Sequence, residues 1–80
     1  MNWTYEVFES QHGGWGYRIL LNGVTVIQQP FIPCVAGFRG FSSREDAERV
    51  ASFLIQKIQE NGNQLIGLTL EDLVNLGVLV

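Results

Sequence analysis

The sequence predicts an α+β domain: a three- to four-stranded antiparallel meander with one long helix packed on one face and a short helix at the C-terminal end. Three observations lead there. Apolar residues alternate with period two on both sides of Asn22-Gly23, they recur at helical spacing from Ala47 to Ile58, and a second capped segment begins at Thr69. Connections this short make neighbouring strands antiparallel.

Trp3, Tyr5 and Val7 alternate with Thr4, Glu6 and Phe8, which is the pattern of a half-buried strand built from aromatic and β-branched residues. Ser10-Gln11-His12-Gly13-Gly14 reads as a turn. A second strand carries Trp15, Tyr17, Ile19 and Leu21 on one face and Arg18 and Leu20 on the other. Asn22-Gly23 then supplies the two positive-φ residues of a type I′ hairpin turn. In the resulting register Leu21 opposes Val24, Ile19 opposes Val26 and Tyr17 opposes Gln28. Tyr17, Ile19, Leu21, Val24 and Val26 are then expected on the core face, with Arg18, Leu20, Thr25 and Ile27 on a mixed face behind them.

Pro30 and Pro33 each lack a backbone donor, so they end regular pairing and make residues 30–33 a stiff extended bridge. The segment 31–35, or the C-terminal one, is a candidate fourth strand at a sheet edge. Ser42 or Ser43 caps the main helix, because Glu45 and Asp46 stand three residues on from each in turn. Ala47, Val50, Ala51, Leu54, Ile55 and Ile58 form one apolar stripe, expected to lie on the sheet, with Glu48, Arg49, Ser52, Gln56 and Gln59 opposite. Phe53 projects away from that stripe, between Arg49 and Lys57, and needs a cover. The C-terminal segment is the nearest candidate, with a second copy of the chain or a partner protein behind it.

Asn61-Gly62-Asn63 stops the helix. Thr69 caps a short helix with Asp72 at its third position, Leu68 and Leu73 occupy the positions of a hydrophobic staple, and Gly77 ends the helix. Val78-Leu79-Val80 is too apolar for a free tail and should pack.

Eighty residues make one domain, spanning 1–80, that hides only about 60–65% of the surface of its unfolded chain. The charged fraction of 16% argues against disorder. A net charge of −3, with five scattered basic residues, offers no stripe for successive phosphates, so nucleic acid is not the expected partner. Cys34 is the single cysteine, which excludes a disulfide within the chain and a thiolate metal cage. No apolar run approaches the roughly 20 residues of a bilayer span, and strand-like residues follow Met1 at once.

Taken in order, these residues resemble a domain of unknown function found in small envelope-type proteins of the Bacteroidetes. The resemblance rests on an early strand, Gly14-Trp15-Gly16-Tyr17, Gln29-Pro30 with Ile32-Pro33, and Gly37 with Gly40-Phe41. It continues through Ala47, Val50-Ala51 and Lys57-Ile58 to Leu73 and Leu76-Gly77, nearly the whole chain. Cys34 stands where the pattern more often has a small residue. Members typically carry an N-terminal export or lipoprotein segment, so the resemblance implies a periplasmic or cell-envelope setting; without such a segment the setting is cytoplasmic. It brings no activity, cofactor or catalytic residue with it.

Three surfaces are candidates for function. Trp15, Tyr17, Phe31 and Phe38, with Phe41 and the amides of Gln28 and Gln29, can line a shallow groove where the hairpin meets the proline bridge, or they can be the core itself. Gly40, Ser42, Ser43 and Arg44, with Arg39, can hold an anion at the helix N-terminus, although the Lys-Ser/Thr ending of a P-loop is missing. The alternative is a glycine-permitted turn that seats Phe38 and Phe41 on the core. Phe53 marks the third surface. His12 and Cys34 can make a nucleophile pair only if the fold joins them, and otherwise are a loop histidine and a buried filler. The leading expectation is a non-enzymatic interaction module, without cofactor or metal, that meets a protein or cell-envelope partner or forms a homodimer through an aromatic surface or an uncovered sheet edge. A small-ligand or anion-binding domain is the alternative.

Overall fold

In the computed structural model Asn22 and Gly23 adopt φ of 52° and 83°, which is the left-handed pair that a type I′ turn demands. The turn joins the second and third of three strands, β1 (Trp3–Glu9), β2 (Trp15–Leu21) and β3 (Val24–Gln29), in an antiparallel sheet of order β1-β2-β3. The structure describes residues 1–11, 13–33, 37 and 39–79. The helices are α1 (Arg44–Glu60) and α2 (Leu70–Asn75).

The hairpin starts in the expected register and then slips. Leu21 pairs with Val24 and Leu20 with Thr25, but Ile19 pairs with Ile27, Arg18 with Gln28 and Tyr17 with Gln29. Val26 is the extra residue of a β-bulge. The expectation that Val26 faces the core is therefore corrected: it is 39% exposed, while Ile27 packs on the core; Val24 keeps its expected partner Leu21 but, beside the hairpin turn, is 64% exposed, which corrects its expected burial too. The pairing of Tyr17 with Gln28 is corrected to Gln29 for the same reason. A bulge inserts one residue without a partner, so every side chain beyond it changes face.

The sheet has three strands among the described residues, not four. Where a fourth was expected, the chain makes isolated contacts. Trp15 and Phe41 exchange both backbone hydrogen bonds, at 2.9 and 2.8 Å, and the Ile32 N–H donates to the Arg39 carbonyl at 2.8 Å. These bonds fold the proline bridge over the end of the sheet and bring Ile32 and Phe41 into the core. Close backbone approach explains two glycines of this region. A Cβ at Gly40 would lie 2.6 Å from the Gly13 carbonyl oxygen, and one at Gly16 would lie 2.7 Å from both the Gln29 carbonyl oxygen and the Pro30 Cα.

Helix α1 lays its apolar stripe across β1 and β2. Ala47, Val50, Ala51, Leu54 and Ile58 are buried against Tyr17, Ile19 and Phe41, and each large aliphatic side chain there contributes about 1.5–3 kcal/mol. The cap is Ser43, whose hydroxyl accepts the Asp46 N–H at 3.1 Å. The helix ends in a 6→1 bond from the Asn63 N–H to the Ile58 carbonyl, with Gly62 at φ 70°. Thr69 and Asp72 form a complete capping box on α2, and Gly77 at φ 79° closes that helix with a Schellman pair from Val78 to Leu73 and Gly77 to Val74. Leu73 is fully buried, and Leu68, Val78 and Leu79 pack against the core.

Candidate functional site

The residues nominated by the sequence do not converge on one surface. Tyr17 and Phe41 are each 1% exposed, with ring centroids 6.0 Å apart, and are part of the core between sheet and helix. Trp15 is half-buried against them. Gln28 is exposed on the sheet face away from the helix, whereas Gln29 is half-buried and donates its amide to the Phe31 carbonyl at 2.8 Å. Phe31 lies elsewhere, with Pro30, Phe8 and Ser10 around a shallow cleft of about 290 Å³. The Ser10 hydroxyl there is buried and has no hydrogen-bond partner among the described residues. Phe38, His12 and Cys34 lie outside the described residues, so the expected roles of those three are not addressed by the fold.

At the start of α1 the groups an anion would use are already engaged. Ser43 caps the Asp46 N–H, the Ser42 hydroxyl donates to the Asp46 carboxylate at 3.0 Å, and Arg44 faces Glu48 at 3.8 Å. Gly40 is buried against Gly13 and Gly14, and Arg39 is exposed, its carbonyl bonded to Ile32. Glu45 and Asp46 in the first turn supply the negative charge that the helix dipole favours there.

Phe53 is half-buried, and its neighbours on the helix show why. One turn before it Arg49 donates to the Leu76 carbonyl at 3.0 Å, and one turn after it Lys57 reaches the Gly67 carbonyl at 3.1 Å and the Asp72 carboxylate at 2.6 Å. Both basic residues hold the C-terminal segment over the helix face that carries Phe53. The C-terminal segment, named from sequence as the nearest cover, is thus bonded to α1 one turn before and one turn after Phe53.

Of the residues that form the most continuous surface feature only Arg44 was nominated, although an uncovered sheet edge was expected. Strand β1 is an edge strand, and its hydrogen bonding to β2 alternates. The Asn22 N–H donates to the Asn2 carbonyl at one end and the Ser10 N–H to the Gly14 carbonyl at the other. Even-numbered residues therefore bond inward to β2, and Trp3, Tyr5, Val7 and Glu9 turn their N–H and C=O groups to the outer edge. Beside that edge runs a stripe of α1: Arg44, Glu48, Ser52 and Ile55. Two clefts lie between strand and helix and share Tyr5. One, of about 420 Å³, is lined by Trp3, Thr4, Tyr5, Ser52 and Ile55; the other, of about 580 Å³, by Tyr5, Glu6, Val7, Arg18, Arg44 and Glu48. Trp3 is fixed in the groove wall by its indole N–H, which donates to Asn63 Oδ1 at 3.1 Å. The sequence signal for this site was the alternation of Trp3, Tyr5 and Val7 in the first strand of a meander, which is an edge by topology.

The groove offers backbone groups that are unpaired among the described residues, apolar contact and a few charges. Among the described residues no group of three or more His, Cys, Asp or Glu side chains is placed to hold a metal ion. No described helix is long and apolar enough to cross a membrane. Fold and groove together define a small α+β domain with an open sheet edge. The family model described as Domain of unknown function (DUF4907) matches residues 6–75, and the chain belongs to that family. No curated protein and no solved structure gives a significant match.

Proposed function

We propose that the chain is a non-enzymatic interaction module, exported to the cell envelope, that accepts an extended segment of a protein partner on the free edge of β1. The observation that carries this reading is the pairing of an open strand edge with a helix-walled groove. An N–H and C=O row repeating every second residue is satisfied by another extended backbone, and pockets beside the row select its side chains. The envelope setting rests on the resemblance drawn from the sequence, and cell fractionation followed by N-terminal sequencing of the native protein tests it.

The other edge is less suited. Strand β3 lies outside the main contacts of α1, so no helix walls a groove there, and its bulge twists the edge. A second copy is disfavoured on β1 by charge. Self-pairing of the full strand in antiparallel register sets Glu6 opposite Glu6 of the other copy, and like charges directly opposed destabilise a ladder.

The test is titration of the ¹⁵N-labelled chain with a capped peptide of alternating threonine and valine, read by NMR. Shift changes and slowed amide exchange are expected at Trp3, Tyr5 and Val7. Tyr5→Pro removes an outward N–H while sparing the ladder to β2, and Ser52→Glu places a charge in the apolar cleft; both should abolish the changes. Changes confined to β3, or no changes at any peptide concentration, would overturn the proposal.

A further inference from the structure

The cleft lined by Trp3, Thr4, Tyr5, Ser52 and Ile55 has no charged residue in its wall, and two of its polar groups are already engaged. The Trp3 indole N–H donates to Asn63 Oδ1 at 3.1 Å, and the Ser52 hydroxyl donates to the Arg49 carbonyl of its own helix at 3.1 Å. A polar side chain buried there loses water without gaining those donors, whereas an apolar one gains by leaving water. The neighbouring cleft gives no such direction. Its lining holds Glu6 and Glu48 against Arg18 and Arg44, paired at 3.5 and 3.8 Å, so the charges cancel and neither sign is favoured. Selection at this edge therefore falls to the apolar cleft.

Rigidity and wall chemistry sharpen the choice. Asn63, which holds the Trp3 indole, is itself fixed by its N–H bond to the Ile58 carbonyl at 3.0 Å, at the C-terminal end of α1. Ile55, on the opposite wall, packs against the core. Walls set in this way lose little freedom when a side chain enters, so more of the contact appears as affinity. Two of the lining residues, Trp3 and Tyr5, present rings. Rings in offset or edge-to-face contact gain more than the area they bury, so these walls favour a third ring over an aliphatic chain.

We infer that the extended segment recognised at β1 carries a large aromatic side chain on its face toward α1, seated in the cleft between Trp3 and Ile55. The ring is the anchor of the segment, and the residues beside it are read through their backbone alone. This specificity rests on the β1-edge reading above and deepens it.

The experiment compares three capped seven-residue peptides by NMR titration. The parent alternates threonine and valine; in the second and third, its central valine is replaced by leucine or by phenylalanine. The phenylalanine peptide should bind about ten-fold more tightly than the parent and about two- to three-fold more tightly than the leucine peptide, with ring-current shifts at the Ile55 methyl groups. Its affinity should change by less than about two-fold between low and high salt. Tyr5→Thr, which removes one ring and keeps a good strand former, should erase the advantage over leucine while the parent still binds. Equal affinities for the leucine and phenylalanine peptides, or an advantage that survives Tyr5→Thr, would overturn the inference and leave the edge reading standing. Binding by none of the peptides, or binding without protection of the Trp3, Tyr5 and Val7 amides, would overturn both. Protection at β1 that rises with protein concentration alone would identify a second copy as the occupant and overturn the choice of partner.

Discussion

Lys57 Nζ lies 2.6 Å from Asp72 Oδ2, and the same carboxylate oxygen accepts the Thr69 N–H at 3.0 Å. One side chain therefore closes the capping box of α2 and ties that helix to α1. The Lys57 hydrogen bond is the main reason that the Asp72 carboxyl is held below the usual carboxylate range, with the Thr69 backbone bond adding to it. A carboxylate with a depressed folded-state pKa stabilises the fold fully above its unfolded value, near pH 4, and loses that contribution as pH falls through the lower folded value. Asp72→Asn should cost about 1–2 kcal/mol at pH 7, the partial exposure of both groups keeping it at the low end for charged hydrogen bonds. Urea unfolding at pH 7 and below pH 4 checks this, and the variant should show a flatter acid limb than the parent.

Capping at α1 is expected to separate two adjacent serines. The Ser43 hydroxyl accepts a helix N–H, whereas the Ser42 hydroxyl donates to a side chain on the surface. Ser43→Ala should cost about 1 kcal/mol. Ser42→Ala should stay within about 0.5 kcal/mol. Thermal unfolding of the two single variants ranks them, and equal losses would assign the cap wrongly.

Gly16 is expected to tolerate no side chain. Its missing Cβ leaves room for the Gln29 carbonyl, the Pro30 Cα and the Phe8 ring, two of which are backbone. Gly16→Ala should cost about 2–3 kcal/mol through forced separation of the backbone. Gly67, with nothing within 4 Å of a built Cβ, supplies the control, and Gly67→Ala should stay within about 0.5 kcal/mol.

Ser10 should be better without its hydroxyl. The oxygen is buried and lacks a partner among the described residues, so Ser10→Ala removes a desolvated polar atom while the backbone bonds of the turn to Gly13 and Gly14 stay. The variant is expected to gain up to about 1 kcal/mol in chemical denaturation. A loss of that size would mean that the hydroxyl has a role in the turn.

The elements of this fold were legible because their signals are local. Asn22-Gly23, the Ser43 cap with Asp46, and the Thr69-Asp72 box each occupy a few consecutive residues, and each formed as the sequence indicated. The register of β3 was not legible. Val24, Val26 and Ile27 are all β-branched and Gln28 and Gln29 are identical, so the pattern fits either side of the bulge equally well. The choice between groove and core for Tyr17 and Phe41 was not legible either, for a related reason. A ring list carries no depth, and in a domain of 80 residues Tyr17 and Phe41 are needed for the core. The β1 groove was hidden because it is made by two segments some forty residues apart, and only the crossing of α1 over β1 brings Ile55 beside Trp3.

The most direct test of the open-edge account is amide hydrogen exchange along β1 in the free protein at low concentration. Thr4, Glu6 and Phe8, bonded into the sheet, should be protected, while Trp3, Tyr5, Val7 and Glu9 should exchange near their intrinsic rates. Equal protection of both sets would show that the edge is already covered, and would contradict the account.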